Sequence, residues 1–184
     1  MTLYKVLDAE GKAMHGGSGQ WRLPKGDQPG EWMPPIKGNL IPCANGYHLT
    51  DRASLIQWIG PTIWEAEGRG DSVADTEKSA WREARLIRKV EAWDEKNARL
   101  FAADCAEHVL HLFEAKYPQD DRPRKAIEVA RQFARGEIGD AARAAARAAA
   151  GSAAWDAAGK ILAPIVSILQ QSAIALLSRM IAAN

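Results

Sequence analysis

The spacing of hydrophobic and polar positions changes once along this 184-residue chain. Up to about residue 92, short apolar stretches alternate with turn-forming residues, which is typical of strands and loops. Leu3–Leu7 is a predicted strand, and Thr62–Glu67 alternates apolar and polar side chains as a half-buried strand does. Gly68 and Gly70 are expected to close this second strand, with an acidic turn following at Asp71–Glu77. The first half is therefore predicted to contain β-structure.

The same half contains signals for one more strand, one tight turn and one short helix. Trp81–Leu86 is predicted to be a strand, although the surrounding stretch Ser79–Val90 would also suit a helix. Asn45-Gly46 predicts a tight turn because both residues tolerate positive φ. Ala53–Ile59 is expected to form a short helix, which Gly60-Pro61 ends.

From Trp93 onward the period becomes helical. Lys96–Tyr117 and Arg124–Arg135 are predicted helices, separated by a loop in which Pro123 suits a helix start. Asp140 is expected to cap a third helix, since residues 141–158 contain 12 alanines, and a terminal helix follows Gly159. The predicted fold class is α+β: a small β-containing N-terminal module, residues 1–92, followed by an all-α antiparallel helical region, residues 93–184.

Charge and cysteine content narrow the function classes. The net charge is +1, from 24 basic and 23 acidic side chains, so the chain lacks the concentrated basic face of a duplex-binding protein. Cys43 and Cys105 are too few and too far apart for a disulfide framework. The first residues lack the apolar stretch of a secretory signal. We therefore expect a cytoplasmic protein with no specific nucleic-acid partner.

The apolar stretch Ile161–Ala183 raises the question of a membrane helix. Pro164, Arg179 and the pair Gln170-Gln171 interrupt it, whereas a spanning helix needs about 20 mainly apolar residues. Its apolar side chains fall at helical spacing on one stripe: Ile165, Leu169, Leu176 and Met180. We expect this stripe to be buried or to face a partner, with membrane insertion as the less favoured alternative.

A metal site or a cysteine nucleophile needs several suitable residues together. Cys105 and His108 are three apart and share a helix face, whereas His111 lies off that face. A zinc site would need two further ligands, which Cys43 and His48 could supply. A buried cysteine beside partly exposed histidines is the favoured interpretation of this pattern. Cys43 near His48 is the better nucleophile candidate, because Cys105 lies in mid-helix, where the backbone amides are already bonded.

Two other patterns invite a chemical interpretation. His15–Gly19 resembles a phosphate-binding loop but lacks the Lys-Ser/Thr ending and the following helix, which favours a mobile loop. Glu65 and Glu67 would face the same side of a strand, as paired catalytic carboxylates can, but a solvated strand face explains them better. The sequence therefore predicts no enzyme, no metal and no cofactor.

Contacts with a partner are expected at two kinds of position. Asp120, Asp121, Arg122 and Arg124 concentrate charge at a helix entrance, where the acids can also cap the helix and form internal ion pairs. Of seven tryptophans, Trp21 and Trp32 lie in Gly/Pro-rich loops with little local structure to bury them. They are expected either to be exposed, as binding hot spots often are, or to pack across the N-terminal module.

The N-terminal half carries a family resemblance. Three stretches together resemble a small uncharacterised domain family of phage and bacterial genomes: Cys43-x-x-Gly46-Tyr47-His48, then Trp64-Glu65-Ala66-Glu67-x-x-Gly70, then Lys78 with the run Arg85–Arg88. The pattern covers roughly Leu3–Val90.

The helical half carries a more specific resemblance. Leu100–Leu110, then Phe113-Glu114, Tyr117-Pro118 and Asp120–Glu128, are similar to the helical proteins of the immunity-protein-5-like class. This resemblance implies a small intracellular module that neutralises a cognate toxin and has no catalytic residues. The chain departs from the family pattern after Lys160, where it turns strongly apolar.

Three functions follow from these patterns. The favoured one is a non-catalytic inhibitor of immunity or phage anti-defence type, which neutralises a partner protein such as a toxin, host or defence factor. The alternative is a self-assembling protein that forms a homo-oligomer through its apolar terminal helix. An enzyme or nucleotide-binding protein using the region of Cys43 and His48 is the third.

Overall fold

A computed structural model of the chain describes residues 2–141, residue 144 and residues 166–182. The fold is α+β, with a curled antiparallel sheet followed by helices. The elements are β1 (Leu3–Leu7), β2 (Tyr47–Leu49), a 3-10 helix (Leu55–Trp58), β3 (Thr62–Ala74), β4 (Ser79–Lys89), α1 (Glu95–Lys116), α2 (Arg122–Ala134) and α3 (Val166–Ala182). The chain divides into two compact units, one of Met1–Trp93 with Ser178–Asn184 and the other of Asp94–Leu177.

The sheet has the order β1-β3-β4-β2 and all its pairs are antiparallel. Its two outer strands also meet, because Tyr4 and Thr50 exchange backbone hydrogen bonds of 2.8 and 3.0 Å. The sheet is therefore curled until its edges join, which leaves fewer unpaired backbone groups at those edges.

A proline-containing segment covers the part of β4 that β2 is too short to reach. The backbone N–H groups of Gly30, Met33 and Ile36 each donate a 2.9 Å hydrogen bond to a β4 carbonyl, at Leu86, Ala84 and Arg82 respectively. Pro34 and Pro35 have no N–H to donate, so their place between the bonded residues costs no hydrogen bond. Residues 30–36 thus protect the edge of β4.

The core of the sheet unit consists of strand side chains covered by this loop region. Leu7, Leu49 and Leu86 are almost completely buried, and Trp21 and Met33 from the loop segment pack against the same cluster. Burial of side chains of this size stabilises a fold by about 1.5–3 kcal/mol each. The glycine- and proline-rich segment is therefore ordered by its contribution to the core.

Two of the predicted boundaries in this unit are wrong. β3 continues through Gly68 and Gly70 to Ala74, so the predicted acidic turn is mostly strand, and only residues 75–78 turn. Gly70 has φ +77° beside a register irregularity, and Gly68 lies under the Trp81 ring. The predicted helix at Ala53–Ile59 is only the short 3-10 helix. The predicted strands at Leu3–Leu7 and within Ser79–Val90 are confirmed.

The first two predicted helices are confirmed as an antiparallel pair. Asp94 caps α1 by accepting a 2.6 Å hydrogen bond from the Asn97 N–H, and Pro123 lies in the first turn of α2. Small and branched side chains fill the space between the helices: Ala103, Leu110, Ile127 and Ala130. The third predicted helix lies mostly outside the described residues.

The terminal helix is confirmed over Val166–Ala182, and its predicted start after Gly159 lies outside the described residues. Within residues 171–182, the buried apolar side chains are Leu177 and Ile181, each one position beyond the predicted Leu176 and Met180. The stripe residue Ile165 and the side chain of Leu169 lie outside the described part. No described helix combines the length and apolar composition that crossing a bilayer requires.

Candidate functional site

The turn between α1 and α2 presents an aromatic side chain to solvent. Tyr117 ends α1 and is 36% exposed, with its ring centroid 5.0 Å from that of Phe113. The next four residues lead to Arg122, the first residue of α2. We call the surface formed by this turn the hairpin tip: Phe113, Tyr117, Asp120, Asp121, Arg122 and Arg124.

Ion pairs fix the charged side chains of the hairpin tip. Arg122 contacts the Asp120 carboxylate at 2.5 Å, and this hydrogen bond lowers the pKa of Asp120. Arg124 binds both oxygens of Glu114 at 2.7 Å, in the two-pronged geometry that suits arginine. The Asp121 carboxylate pairs with Lys125 at 2.7 Å and makes no cap hydrogen bond.

The sequence prediction for this region is thus refined. Asp120 accepts a 3.2 Å hydrogen bond from the Arg122 backbone N–H, so it satisfies one donor at the start of α2, whereas Asp121 does not act as a side-chain cap. Arg122 and Arg124 are both about half exposed, and each binds a carboxylate of its own unit. Charges held in this way need little reordering to form an interface.

A second set of contacts fixes α2 against α1. Arg131 lies on α2 and contacts Asp104 and Glu107 of α1, each at 2.6 Å. The Arg99 guanidinium of α1 lies 4.7 Å from the centre of the Phe133 ring of α2. The hydrogen bonds to Glu107 and Asp104 raise the pKa of Arg131, and the bond from Arg131 lowers the pKa of Glu107. These contacts set the rotation of the two helices and hence the orientation of the hairpin tip.

The lowered pKa of Glu107 predicts weaker folding in acid. A carboxylate whose pKa is lower in the folded state stabilises the fold above its unfolded pKa, and this stabilisation is lost as pH falls through the folded value. We expect the urea midpoint of the wild type to fall between pH 6 and pH 3 by more than that of Glu107→Gln. Glu128→Gln, at an exposed glutamate of α2, serves as the control and should follow the wild type. An equal fall in all three proteins would contradict the expectation.

The structure separates the two tryptophans that the sequence grouped together. Trp21 is only 5% exposed and its ring meets that of Tyr47 edge-on at 5.5 Å, so the expectation of an exposed Trp21 is wrong. Its burial results from distant core residues, which the loop sequence does not reveal. Trp32 is half-buried, and the guanidinium groups of Arg69 and Arg85 lie 4.1 and 4.7 Å from its ring centre. It stays a candidate contact residue.

Within the described residues, the candidate metal ligands Cys105 and His108 on α1 are not joined by further ligands. Cys105 is half-buried, and burial together with the Asp104 charge raises the pKa of its thiol. His108 and His111 are exposed. Across the described residues, no group of three or more His, Cys, Asp or Glu side chains is placed to hold an ion. Both cysteines are free.

Cys43 and His48 lie close together, but in an arrangement unsuited to a nucleophile and its base. The backbone N–H of Cys43 donates a 2.9 Å hydrogen bond to His48 Nε2. Burial, and then the charges of Lys5 and Lys78, lower the pKa of His48, whereas the charge of Asp75 acts in the opposite direction. The lowered pKa favours the neutral ring, in which Nε2 can accept this bond. Because Nε2 is occupied by the backbone, it cannot take a proton from the Cys43 thiol.

The two carboxylates on β3 are engaged by arginines. Glu65 pairs with Arg88 at 2.8 Å, and Glu67 pairs with Arg85. Both arginines belong to the neighbouring strand β4, so these are cross-strand ion pairs on the sheet surface. Their geometry supports a structural role.

A cavity of about 450 Å³ lies in the N-terminal unit and brings together three features that the sequence treated separately. The His15–Gly19 loop, Cys43 and His48 all line it. Lys78, which belongs to the pattern of the N-terminal resemblance, lines it as well, and so does Lys5, which the sequence did not single out. The one signal for Lys5 is its position between the buried Tyr4 and Val6 of β1.

Comparisons with known proteins address only the second half of the chain. Residues 88–172, just under half of the chain, match the family described as "Imm-5 like putative immunity protein". The matched range begins at the end of β4 and includes α1, α2 and the hairpin tip. No curated protein and no solved structure matches the chain. The resemblance of the helical half to immunity proteins is therefore supported, and that of the N-terminal half stays a prediction.

Proposed function

We propose that this chain is a non-catalytic immunity-type protein that binds and neutralises a partner protein through the hairpin tip. The match of residues 88–172 to an immunity family supports the class. The observation that carries the assignment to this surface is the exposed Tyr117 surrounded by charges already held in place. Tyrosine and arginine are the residues that most often dominate the energy of protein–protein contacts.

The charge of the hairpin tip favours a protein partner. Acidic and basic groups occur together near Tyr117, with Asp120 and Asp121 followed by Arg122 and Arg124. A phosphate backbone would require a surface of mainly basic charge, whereas an aromatic centre with a mixed polar rim is typical of protein interfaces. The partner is therefore expected to offer an apolar pocket for the tyrosine, bordered by groups of both signs.

The remaining parts of this proposal extend the sequence predictions. The partner is a toxin, host or defence factor, and a phage anti-defence role is one form of this activity. Free thiols at Cys43 and Cys105 suit action in the reducing cytoplasm. Self-assembly through the apolar terminal helix stays a prediction.

Replacing Tyr117 by alanine should abolish most of the protective effect. Loss of a central tyrosine costs an interface about 2 kcal/mol or more, which is a factor of about 30 in affinity. The test is growth of cells that co-express the chain with each polypeptide encoded beside its gene, combined with measurement of the affinity of the purified pair that shows protection. Wild type should rescue growth and bind, and Tyr117→Ala should do neither at equal expression.

Lys96→Ala is the matched control, because Lys96 is exposed at the opposite end of the same helix. It should protect as the wild type does. Absence of rescue with every tested polypeptide would contradict the immunity role, and rescue by Tyr117→Ala with unchanged affinity would place the binding surface elsewhere.

A further inference from the structure

The cavity of the N-terminal unit has the size and lining of a small-molecule site. Its volume of about 450 Å³ lies within the range of about 300–1,000 Å³ that ligand pockets occupy. Four aromatic residues contribute to its wall: Tyr4, Trp21, Tyr47 and Trp58. Lys5, Lys78, His15 and His48 are the basic groups of the lining, and no aspartate or glutamate occurs among the described residues that line it.

The two lysines place positive charge in this cavity without a neutralising carboxylate in the wall. Lys5 Nζ donates a 3.3 Å hydrogen bond to the His48 carbonyl and lies 5.2 Å from the centre of the Trp21 ring. Lys78 Nζ lies 4.2 Å from the centre of the Trp58 ring. Burial, and then the charge of Lys78, lower the pKa of Lys5 to about 8, so the two ammonium groups repel one another at neutral pH.

Asp75 is an acid of this region that lies outside the lining. Asp75 influences His48, but its carboxylate accepts a 2.8 Å hydrogen bond from the Thr76 N–H in the turn that follows β3. An anion that entered the cavity would therefore relieve the repulsion between Lys5 and Lys78, and would do so in a concave site where charges interact more strongly than in open solvent.

The loop His15–Gly19 forms another side of the cavity and is fixed to its wall. His15 Nε2 lies 3.0 Å from the Trp58 carbonyl oxygen, and the two rings meet edge-on at 5.5 Å. His15 has φ +56°, a left-handed conformation that is uncommon for residues with a side chain. Trp58 also has a buried indole N–H that finds no hydrogen-bond acceptor within the described part of the chain.

We propose that this cavity binds a small molecule that carries a phosphate group, with Lys5 and Lys78 holding the phosphate and the aromatic wall receiving the apolar part of the ligand. Two ammonium groups suit the double negative charge of a phosphate monoester. Lysine binds phosphate as a point charge and needs no planar fork, and no arginine is among the lining residues described. The size of the cavity is that of a nucleoside monophosphate rather than a larger cofactor.

The first test is calorimetric titration of the full chain with adenosine monophosphate, adenosine and inorganic phosphate in separate experiments. Adenosine monophosphate is expected to bind one to one with a dissociation constant below about 1 mM, and adenosine at least about tenfold more weakly. Equal affinity for inorganic phosphate and the nucleotide would support an anion site in this cavity, with the free phosphate ion as its ligand. No binding of any of the three at about 10 mM would overturn the proposal.

The second test locates the binding. Lys78→Met keeps the aliphatic part of the side chain over Trp58 and removes the charge, and should weaken nucleotide binding at least about tenfold. Lys25→Met is the control, since Lys25 is exposed and outside the cavity lining, and it should bind as the wild type does. Lys78→Arg keeps the charge and should retain most of the affinity for the nucleotide. It is the variant to measure if Lys78→Met does not fold.

Unchanged affinity in both Lys78→Met and Lys5→Met would overturn the assignment to this cavity. The proposal is independent of the hairpin tip. Tyr117→Ala should therefore bind the nucleotide as the wild type does, even where it no longer protects cells.

Discussion

Replacing Trp93 by alanine is expected to lower the free energy of unfolding by about 3–5 kcal/mol. Trp93 is only 2% exposed, so its removal leaves a cavity in the sheet unit that the surrounding side chains can only partly fill. Its indole N–H donates a 2.8 Å hydrogen bond to the Gly60 carbonyl oxygen, which would lose this donor. Guanidinium unfolding followed by far-ultraviolet circular dichroism measures the loss.

Trp93→Phe separates the two contributions. Phenylalanine keeps much of the buried ring but cannot donate to Gly60, so the expected loss is about 1–3 kcal/mol for the unpaired carbonyl. The alanine variant should therefore be clearly less stable than the phenylalanine variant. Equal loss of stability in the two variants would show that the hydrogen bond, rather than the filled volume, is the main contribution. It would contradict the larger loss expected for the alanine variant.

Gly68→Ala is expected to lower the free energy of unfolding by about 1–3 kcal/mol. An added Cβ would lie 2.2 Å from Cδ2 of Trp81, far inside van der Waals contact. The Trp81 ring packs against the core cluster and its indole N–H donates a 2.7 Å hydrogen bond to the Ser79 hydroxyl, so moving the ring disturbs both. The measurement is the same guanidinium unfolding.

Gly19→Ala is the matched control for this substitution. Gly19 lies in the N-terminal unit, its φ is not in the left-handed region, and an added Cβ would meet nothing within 4 Å. Its free energy of unfolding should change by less than about 0.5 kcal/mol. A loss at Gly19 as large as that at Gly68 would show that the clash with Trp81 is not the cause, because the lower backbone entropy of the unfolded chain would by itself stabilise both variants.

Gly68 also shows why the predicted end of β3 is wrong. Glycine inside an alternating pattern commonly ends a strand or marks a bulge, and Gly68 and Gly70 were predicted to end one. Whether such a residue ends a strand depends on what lies across from it. Here the neighbouring strand places Trp81 over Gly68, and the positive φ of Gly70 falls beside a register irregularity, so the strand continues.

In the candidate sites, too, some features follow from the sequence and others only from the fold. The charged residues at the start of α2 were predicted as a contact surface because a loop between two helices exposes its side chains. The ion pair of Arg124 with Glu114 could not be predicted, because it depends on the rotation of one helix against the other. Lys5 and Lys78 were not predicted as a pair for the same reason, since nothing local in the sequence brings β1 and the turn before β4 together.

The sequence alone determined the element types that depend on local interactions. The helices α1 and α2 and the place of Pro123 follow from a 3.6-residue period and from the missing N–H of proline. The tertiary structure alone decided the burial of Trp21, the length of β3 and the basic cavity. These features arise from contacts between residues far apart in the chain, which no local pattern encodes.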